Sequence, residues 1–332
     1  MAETQSKQCR EGAVPVLSIV CPMYNEETAL PHFIARVGAV LDPLLADYEI
    51  VCVNDGSRDG TLAALRAWAA RDARVKIVDL SRNFGKEAAL SAGLDFANGQ
   101  AVVPIDVDLQ DPPELIAEML ELWRAGNDVV LAARHDRSSD PRLKRATAGW
   151  FYKLMARISD IDIPENVGDF RLMDRQVVEA LKRLPERARF MKGIFAWLGF
   201  RTATISFARP TRSAGEAKQR YRSLARLAID GIVSFTTFPL RIWTLLGVAL
   251  STVSAVFMLV IIVRTLVFGS DAPGYASIMT VLLFFNGMIM INLGVLGEYI
   301  ARIFVEVKGR PVYLVRETVN LGGPAAVRPS ER

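Results

Sequence analysis

The chain has 332 residues, enough for one large domain or two, and is 51% apolar with only 23% charged residues, a composition rich for a purely soluble protein. Two histidines, His32 and His135, leave little for His-based metal ligation or a Ser-His-Asp arrangement, and three cysteines without CxxC spacing argue against zinc, so chemistry must run on carboxylates, Arg and Lys. The net charge of +4 is small, but Lys and Arg cluster late in the chain, which suggests an anionic membrane surface more than nucleic acid.

Residues 1–13 are polar and lack the apolar core of a signal peptide, so they read as a loose cytoplasmic tail. Cys9 lies there; Cys21 and Cys52 fall inside apolar strand patterns and are expected to be buried and reduced. From Val14 short apolar runs alternate with segments of helical period: strand 17–21, helix 27–41, strand 49–53, helix 61–71, strand 75–80, helix 86–97, strand 101–105, helix 113–124 and strand 129–133. Such βαβα repetition predicts an α/β domain on a mostly parallel, three-layer sheet. Ligands of these sheets bind beyond the carboxyl ends of the strands. The polar clusters 22–26, 54–57 and 81–86 fall at those ends, after the first, second and third strands.

The fourth strand runs out into Asp106-Val107-Asp108-Leu109-Gln110-Asp111. Two acids at i and i+2 diverge on an extended strand, but where the strand breaks both can turn toward one hard cation, with Gln110 adding a neutral oxygen. The plainer reading makes Asp108 and Asp111 caps of the helix that opens at Pro112 or Pro113, and leaves Asp106 and Gln110 without a task. Asp55 also has two readings. It is either a turn residue in an Asp-, Gly- and Ser-rich loop with an N-cap at Asp59, or a hydrogen-bond acceptor for a nucleobase or ribose. Neither GxGxxG after the first strand nor GxxxxGK[ST] occurs, so a diphosphate must be held by metal and basic side chains.

In the segments PMYNEE, VNDGSRDGT, SRNFGKEAALSAGLD, DVDLQDPPE, GDFRLMDR, FMKGIFAWLGF and FPLRIW the chain resembles the inverting family 2 glycosyltransferases, most closely the polyisoprenyl-phosphate glycosyltransferases, over about residues 17–315. The resemblance implies a GT-A fold, a nucleotide-sugar donor, Mg²⁺ or Mn²⁺, a lipid-phosphate acceptor such as undecaprenyl phosphate, and a homo-oligomer, with a tetramer favoured. It favours glucose from UDP-glucose over mannose, N-acetylglucosamine or an aminoarabinose derivative. By this likeness Pro22, Tyr24, Glu26, Asp55, Lys86 and Asp106 serve the nucleotide sugar, while Asp106, Asp108 and Gln110 serve the metal and diphosphate. Asp169 would face the reacting centre, either as a base or as a group orienting a sugar hydroxyl or Lys192.

Arg134, which ends the strand 129–133, opens a basic segment with Arg137, Arg142, Lys144 and Arg145 that could grip a phosphate, or be a solvated loop. Arg209 and Arg212, with Lys218 beyond, match a family segment that holds the acceptor phosphate; a flexible juxtamembrane loop is the plainer reading.

Residues 224–238 are amphipathic and suit a membrane interface. The runs 242–263 and 278–296 then carry no charge over 22 and 19 residues, each long enough to span a bilayer. Basic residues flank the pair (Arg222, Arg226 and Arg241 before it; Arg302, Lys308, Arg310 and Arg316 after it), so the positive-inside rule puts both flanks in the cytoplasm of a bacterial inner membrane protein. Residues 311–316 are expected to form a short strand or hairpin returning to the membrane surface, and 320–332 to be disordered. The expected division is a tail (1–13), a catalytic domain (14–213), juxtamembrane helices (214–241), two spanning helices (242–300) and a cytoplasmic segment (301–332). A processive polysaccharide synthase would carry QxxRW, and here Ser223 follows Arg222 where Trp should stand. A nucleotidyltransferase would show a Gly-rich loop near the first strand, and an inactive scaffold would not need the acids of the fourth strand.

Overall fold

The structure, a computed structural model, describes residues 15–134, 167–184, 186, 191–207, 236, 238–268 and 274–321. The chain forms two compact units, one of Met1–Tyr152, Ile163–Lys218 and Pro311–Arg332, the other of Lys153–Asp162 and Gln219–Arg310.

The first unit is built on an eight-stranded sheet in the order β7-β5-β6-β4-β1-β2-β3-β8. The strands are β1 (Leu17–Met23), β2 (Tyr48–Asn54), β3 (Val75–Leu80), β4 (Ala101–Pro104), β5 (Val129–Arg134), β6 (Val167–Asp174), β7 (Thr202–Phe207) and β8 (Val315–Val319). The middle strands β3, β2, β1 and β4 pair in parallel. They are almost wholly buried, as strands covered on both faces must be, and so read as continuous apolar runs. The helices are α1 (Leu30–Leu41), α2 (Thr61–Ala69), α3 (Lys86–Phe96), α4 (Leu115–Arg124), α5 (Arg175–Lys182) and α6 (Met191–Trp197). In α1 the buried Leu30, Phe33, Ile34, Val37 and Leu41 recur at helical spacing, giving one stripe toward the core. α3 lies closest to the sheet at Gly93, where an added Cβ would stand 2.2 Å from Val20 Cγ1.

The sheet is mixed, which corrects the mostly parallel arrangement expected from the βαβα pattern. β6 inserts antiparallel between β4 and β5, and β8 pairs antiparallel with β3. Helical spacing ahead of a strand cannot reveal either insertion, because both strands arrive from distant sequence.

At the edge opposite the polar clusters, buried Glu49 anchors a network: it accepts from Ser18 Oγ at 2.5 Å and from the Asn98 N–H at 2.6 Å, and it pairs with Lys76. Ser18 Oγ in turn accepts from the Gly99 N–H at 2.7 Å. Such a satisfied network offsets the cost of burying the carboxylate and fixes the turn from α3 into β4. Cys21 and Cys52 stand opposite one another on β1 and β2, both buried and free, as their apolar surroundings imply.

The second unit contains two long helices, α7 (Phe238–Phe268) and α8 (Tyr275–Lys308), which contain the two uncharged runs. Apolar side chains along both are exposed, among them Leu245, Phe257, Phe284 and Ile300. The stretch Phe284–Lys308 is long and apolar enough to cross a membrane. α8 ends at Gly309 in the left-handed conformation (φ 67°), a position glycine occupies without a Cβ penalty. Beyond it the chain does not form a strand over 311–316; it joins the sheet as β8. Asn320, expected to be disordered, donates to the Ala69 and Val75 carbonyls at 2.8 and 2.9 Å. The amphipathic stretch 224–235 lies outside the described residues, as do 1–13 and 322–332.

Candidate active site

At the carboxyl ends of β1, β2 and β4 and the start of α3 lies a cavity of about 330 Å³, lined by Pro22, Met23, Tyr24, Glu26, Asp55, Asn83, Gly85, Lys86, Ala89, Asp106, Val107 and Asp108. Six of these, with Asp108, were expected as site residues from the sequence. Gln110 is not among them; it is buried at 4% exposure.

The cavity walls are loops stitched to one another. Asn25 N–H donates to Ser57 Oγ, Glu26 N–H to Thr61 Oγ1 and Glu27 N–H to Asp59 Oδ2, while Arg58 N–H returns a bond to Asn25 Oδ1 and Gly60 N–H to Glu27 Oε2. These bonds join the β1–α1 loop to the β2–α2 loop, and α1 begins beyond them at Leu30. Asp59 accepts from the Thr61 N–H at 3.1 Å, but the N-cap position of α2 falls on Gly60 without a side-chain cap, so the N-cap expected at Asp59 is corrected: its carboxylate holds the turn and the Glu27 N–H instead. The second loop then meets the third. Asp55, 3% exposed, accepts from the N–H groups of Phe84 and Gly85 at 2.7 and 2.9 Å. Burial raises its pKa, against the lowering effect of those two donors and of Arg82. Gly56 (φ 64°) is required here, because a Cβ would meet the Arg82 and Asn83 backbone at 2.5 Å.

Lys86, the first residue of α3, is the centre of charge. Its Nζ lies 2.8 Å from Asp106 Oδ2 and 2.8 Å from Asp169 Oδ2, so one ammonium bridges the end of β4 and β6. Desolvation works against its charge, but the two carboxylates override it and raise its pKa. The lysine is therefore charged at any physiological pH.

The acids on the other side are less well compensated. Desolvation raises the pKa of Glu26, and Asp108, Asp106 and Asp59 raise it further. A negative field left by hard oxygen donors is the environment a divalent cation relieves. Among the described residues no three His, Cys, Asp or Glu side chains converge as a ready-made metal cage. The donor set fits Mg²⁺ or Mn²⁺ in the form where one or two carboxylates supply part of the shell and phosphate and water the rest. Asp108 does not cap a helix: its Oδ1 accepts from the Gln110 N–H at 3.1 Å, and α4 begins beyond, without a side-chain cap. Between them Leu109 is held at φ 53°, a left-handed conformation uncommon outside Gly, Asn and Asp and characteristic of functional loops.

β6 adds a second cation. Arg171 is 5% exposed, lies 3.9 Å over the Phe195 ring, and donates to the Gly168 carbonyl at 2.7 Å, while its Nε has no partner. Burial lowers its pKa to about 10, partly countered by the charges of Asp169 and Glu87. This stacked guanidinium was not legible in the sequence, since Phe195 comes from a helix more than twenty residues away. Arg134 ends β5, its guanidinium about 3.8 Å from where a Cβ on Gly168 would stand, beside Asp169. Lys192 lies on α6. Arg209 and Arg212, with Arg137, Arg142, Lys144, Arg145 and Lys218, lie outside the described residues.

The chain is similar to known proteins along most of its length. Residues 18–182 match Glycosyl transferase family 2. A glycosyltransferase of Synechocystis sp. is 53% identical over 92% of this chain and 96% of its own. A prophage-derived bactoprenol glucosyl transferase of Shigella flexneri is 50% identical over 93% and 99%, and a prophage bactoprenol glucosyl transferase homolog of Escherichia coli is 49% identical over 90% and 98%. Among solved structures, glucosyl-3-phosphoglycerate synthase from Mycobacterium tuberculosis, in complex with Mn²⁺, UDP and phosphoglyceric acid, aligns with a TM-score of 0.47 at 20% identity, over 66% of this chain and 76% of that one. With an α/β sheet of GT-A type, acidic loops at its carboxyl edge and relatives matching from end to end, the chain belongs to the family 2 glycosyltransferases, in the group of the bactoprenol glucosyl transferases.

Proposed function

We propose that the chain transfers one hexose, glucose from UDP-glucose, to the phosphate of a polyisoprenyl lipid such as undecaprenyl phosphate, with inversion at the anomeric carbon, at the cytoplasmic face of the inner membrane. The observation that carries the reading is the bridge from Asp106 through Lys86 to Asp169 at the mouth of an acidic cavity, in a chain about half identical to bactoprenol glucosyl transferases along its length. Pro22, Tyr24, Glu26 and Asp55 line the nucleotide end. Lys86, fixed by two carboxylates, offers a charged donor to diphosphate oxygens. Asp106 and Asp108 hold a Mg²⁺ or Mn²⁺ ion, which when bound stabilises negative charge on the departing nucleoside diphosphate. Arg134 with Arg209, Arg212 and Lys192 takes the acceptor phosphate. That phosphate is already largely ionised near neutral pH, so the attack needs little help from a base. Asp169 then positions Lys86 and the sugar.

The two long helices α7 and α8 form the membrane anchor, with both termini cytoplasmic, and the protein works as a homo-oligomer. Their exposed apolar side chains support the anchor, since in water these side chains would stay uncovered. The test is a panel of nucleotide sugars incubated with purified protein and undecaprenyl phosphate, the lipid product being weighed by mass spectrometry. A hexosyl-phosphate lipid from UDP-glucose alone is expected; the product from another donor would reassign the sugar, and donor hydrolysis indifferent to the lipid would overturn the acceptor.

A further inference from the structure

The chain beyond α8 returns to the sheet as β8 and meets the start of the segment that leads from β3 to Lys86. Ser81, the first residue after β3, is held from both sides: its N–H donates to the Leu314 carbonyl at 2.8 Å, and its own carbonyl accepts from Arg316 at 2.5 Å. The same guanidinium lies 3.5 Å from Oδ2 of Asp79, a carboxylate only 1% exposed. The other oxygen of Asp79 accepts from Asn54 Nδ2 at 2.7 Å, and Asn54 Oδ1 accepts from the Ser57 N–H at 3.3 Å. A carboxylate taken out of water needs a counter-charge, and Arg316 brings one. Ser81 also opens the segment that ends at Lys86, and the N–H groups of Phe84 and Gly85 in that segment are those that Asp55 accepts.

We propose that Arg316 is a positioning residue for the donor site. By pinning Ser81 and compensating Asp79, it holds segment 81–86 against the β2–α2 turn and so sets where Asp55 and Lys86 stand for a nucleoside diphosphate. The inference rests on reading the cavity as the nucleotide-sugar site. It is separable from the docking of β8 itself, because Arg66 pairs with Glu317 at 2.5 Å and Asn320 holds the Ala69 and Val75 carbonyls without Arg316.

The experiment uses the full chain in detergent, reading hydrogen exchange over 81–86 together with the KM for UDP-glucose. Arg316→Ala should speed exchange at Phe84 and Gly85 and raise the donor KM, each by roughly tenfold, while kcat stays within about threefold. Arg316→Lys, which keeps the charge but not the fork, should fall between. Glu317→Gln should leave both readouts at wild-type values. Unchanged exchange and KM in Arg316→Ala, or an equal effect from Glu317→Gln, would overturn the proposal. If the wild type does not use UDP-glucose, the donor reading fails, while exchange over 81–86, which needs no donor, still decides the role of Arg316.

Discussion

Charge at the cavity is divided between a compensated part, where Lys86 bridges Asp106 and Asp169, and a less compensated part at Glu26 and Asp108. The second part has a measurable signature. Because the folded pKa of Glu26 is raised, the native state holds its proton more tightly than the unfolded chain; the stability penalty is absent well below the ordinary value of about 4.5 and grows as pH rises past it. Glu26→Gln should therefore raise the melting temperature at neutral pH, and the gain should vanish as pH falls below that value. Mg²⁺ or Mn²⁺ with UDP should raise the melting temperature of the wild type, and much less so that of Asp108→Ala. Turnover in Asp108→Ala should fall by roughly 10²-fold or more, the usual loss for a group that stabilises developing charge; full activity with chelator present would refute the metal.

Asp169 allows a sharper test. As a general base it predicts a defect in Asp169→Asn that eases as pH rises through the second ionisation of a phosphate ester, about 6. As the group that holds Lys86 at 2.8 Å, it predicts a defect flat in pH, shared by Lys86→Met and not additive with it. We expect the flat profile, and kcat against pH for both single variants and the double variant will decide.

Among elements, α3 is the one whose placement matters most, since it carries Lys86 at its first turn and touches β1 at Gly93. Replacing an interior helical glycine by alanine ordinarily gains about 0.5–1 kcal/mol. Here the new Cβ would stand 2.2 Å from Val20 Cγ1 and 3.1 Å from Val53 Cγ2, and overpacking a closed core costs about 1–3 kcal/mol. The second effect is larger, so Gly93→Ala should lower the urea midpoint, and Val20→Ala on the same chain should recover part of it. The loops show the same dependence on distant partners. Ser57, Asp59 and Thr61 have the composition of an ordinary turn, and their tertiary task, holding the backbone of Asn25, Glu26 and Glu27, was hidden because the two loops meet only across the parallel pair β1 and β2.

For the whole molecule, the proposed topology predicts sidedness. In a cysteine-free chain, single cysteines replacing Lys308 and Asp271 should be labelled by an impermeant thiol reagent from opposite faces of inverted and right-side-out vesicles, Lys308→Cys from the cytoplasmic face. Labelling of both from one face would remove the two-helix anchor. The proposed topology also requires residue 308 to lie on the side of the first unit, because seven residues later the chain pairs with β3.

The sequence by itself determined the parts governed by local periodicity and by residue type. Strands β1 to β5 and helices α1 to α4 fall within a few residues of their expected positions, since burial on two faces or on one helical stripe writes itself into adjacent residues. It also named seven of the residues that line the cavity, because their segments fall just beyond strand ends, where ligands of such sheets bind, and carry the family resemblance. Only the tertiary structure decided which of those residues meet. The insertion of β6, the bridge from Asp106 through Lys86 to Asp169, the capture of Asp55 by Phe84 and Gly85, and the return of Arg316 to Ser81 all join segments between about 20 and 240 residues apart. Their pairing is set by strand order and register, and strand order carries no local signature.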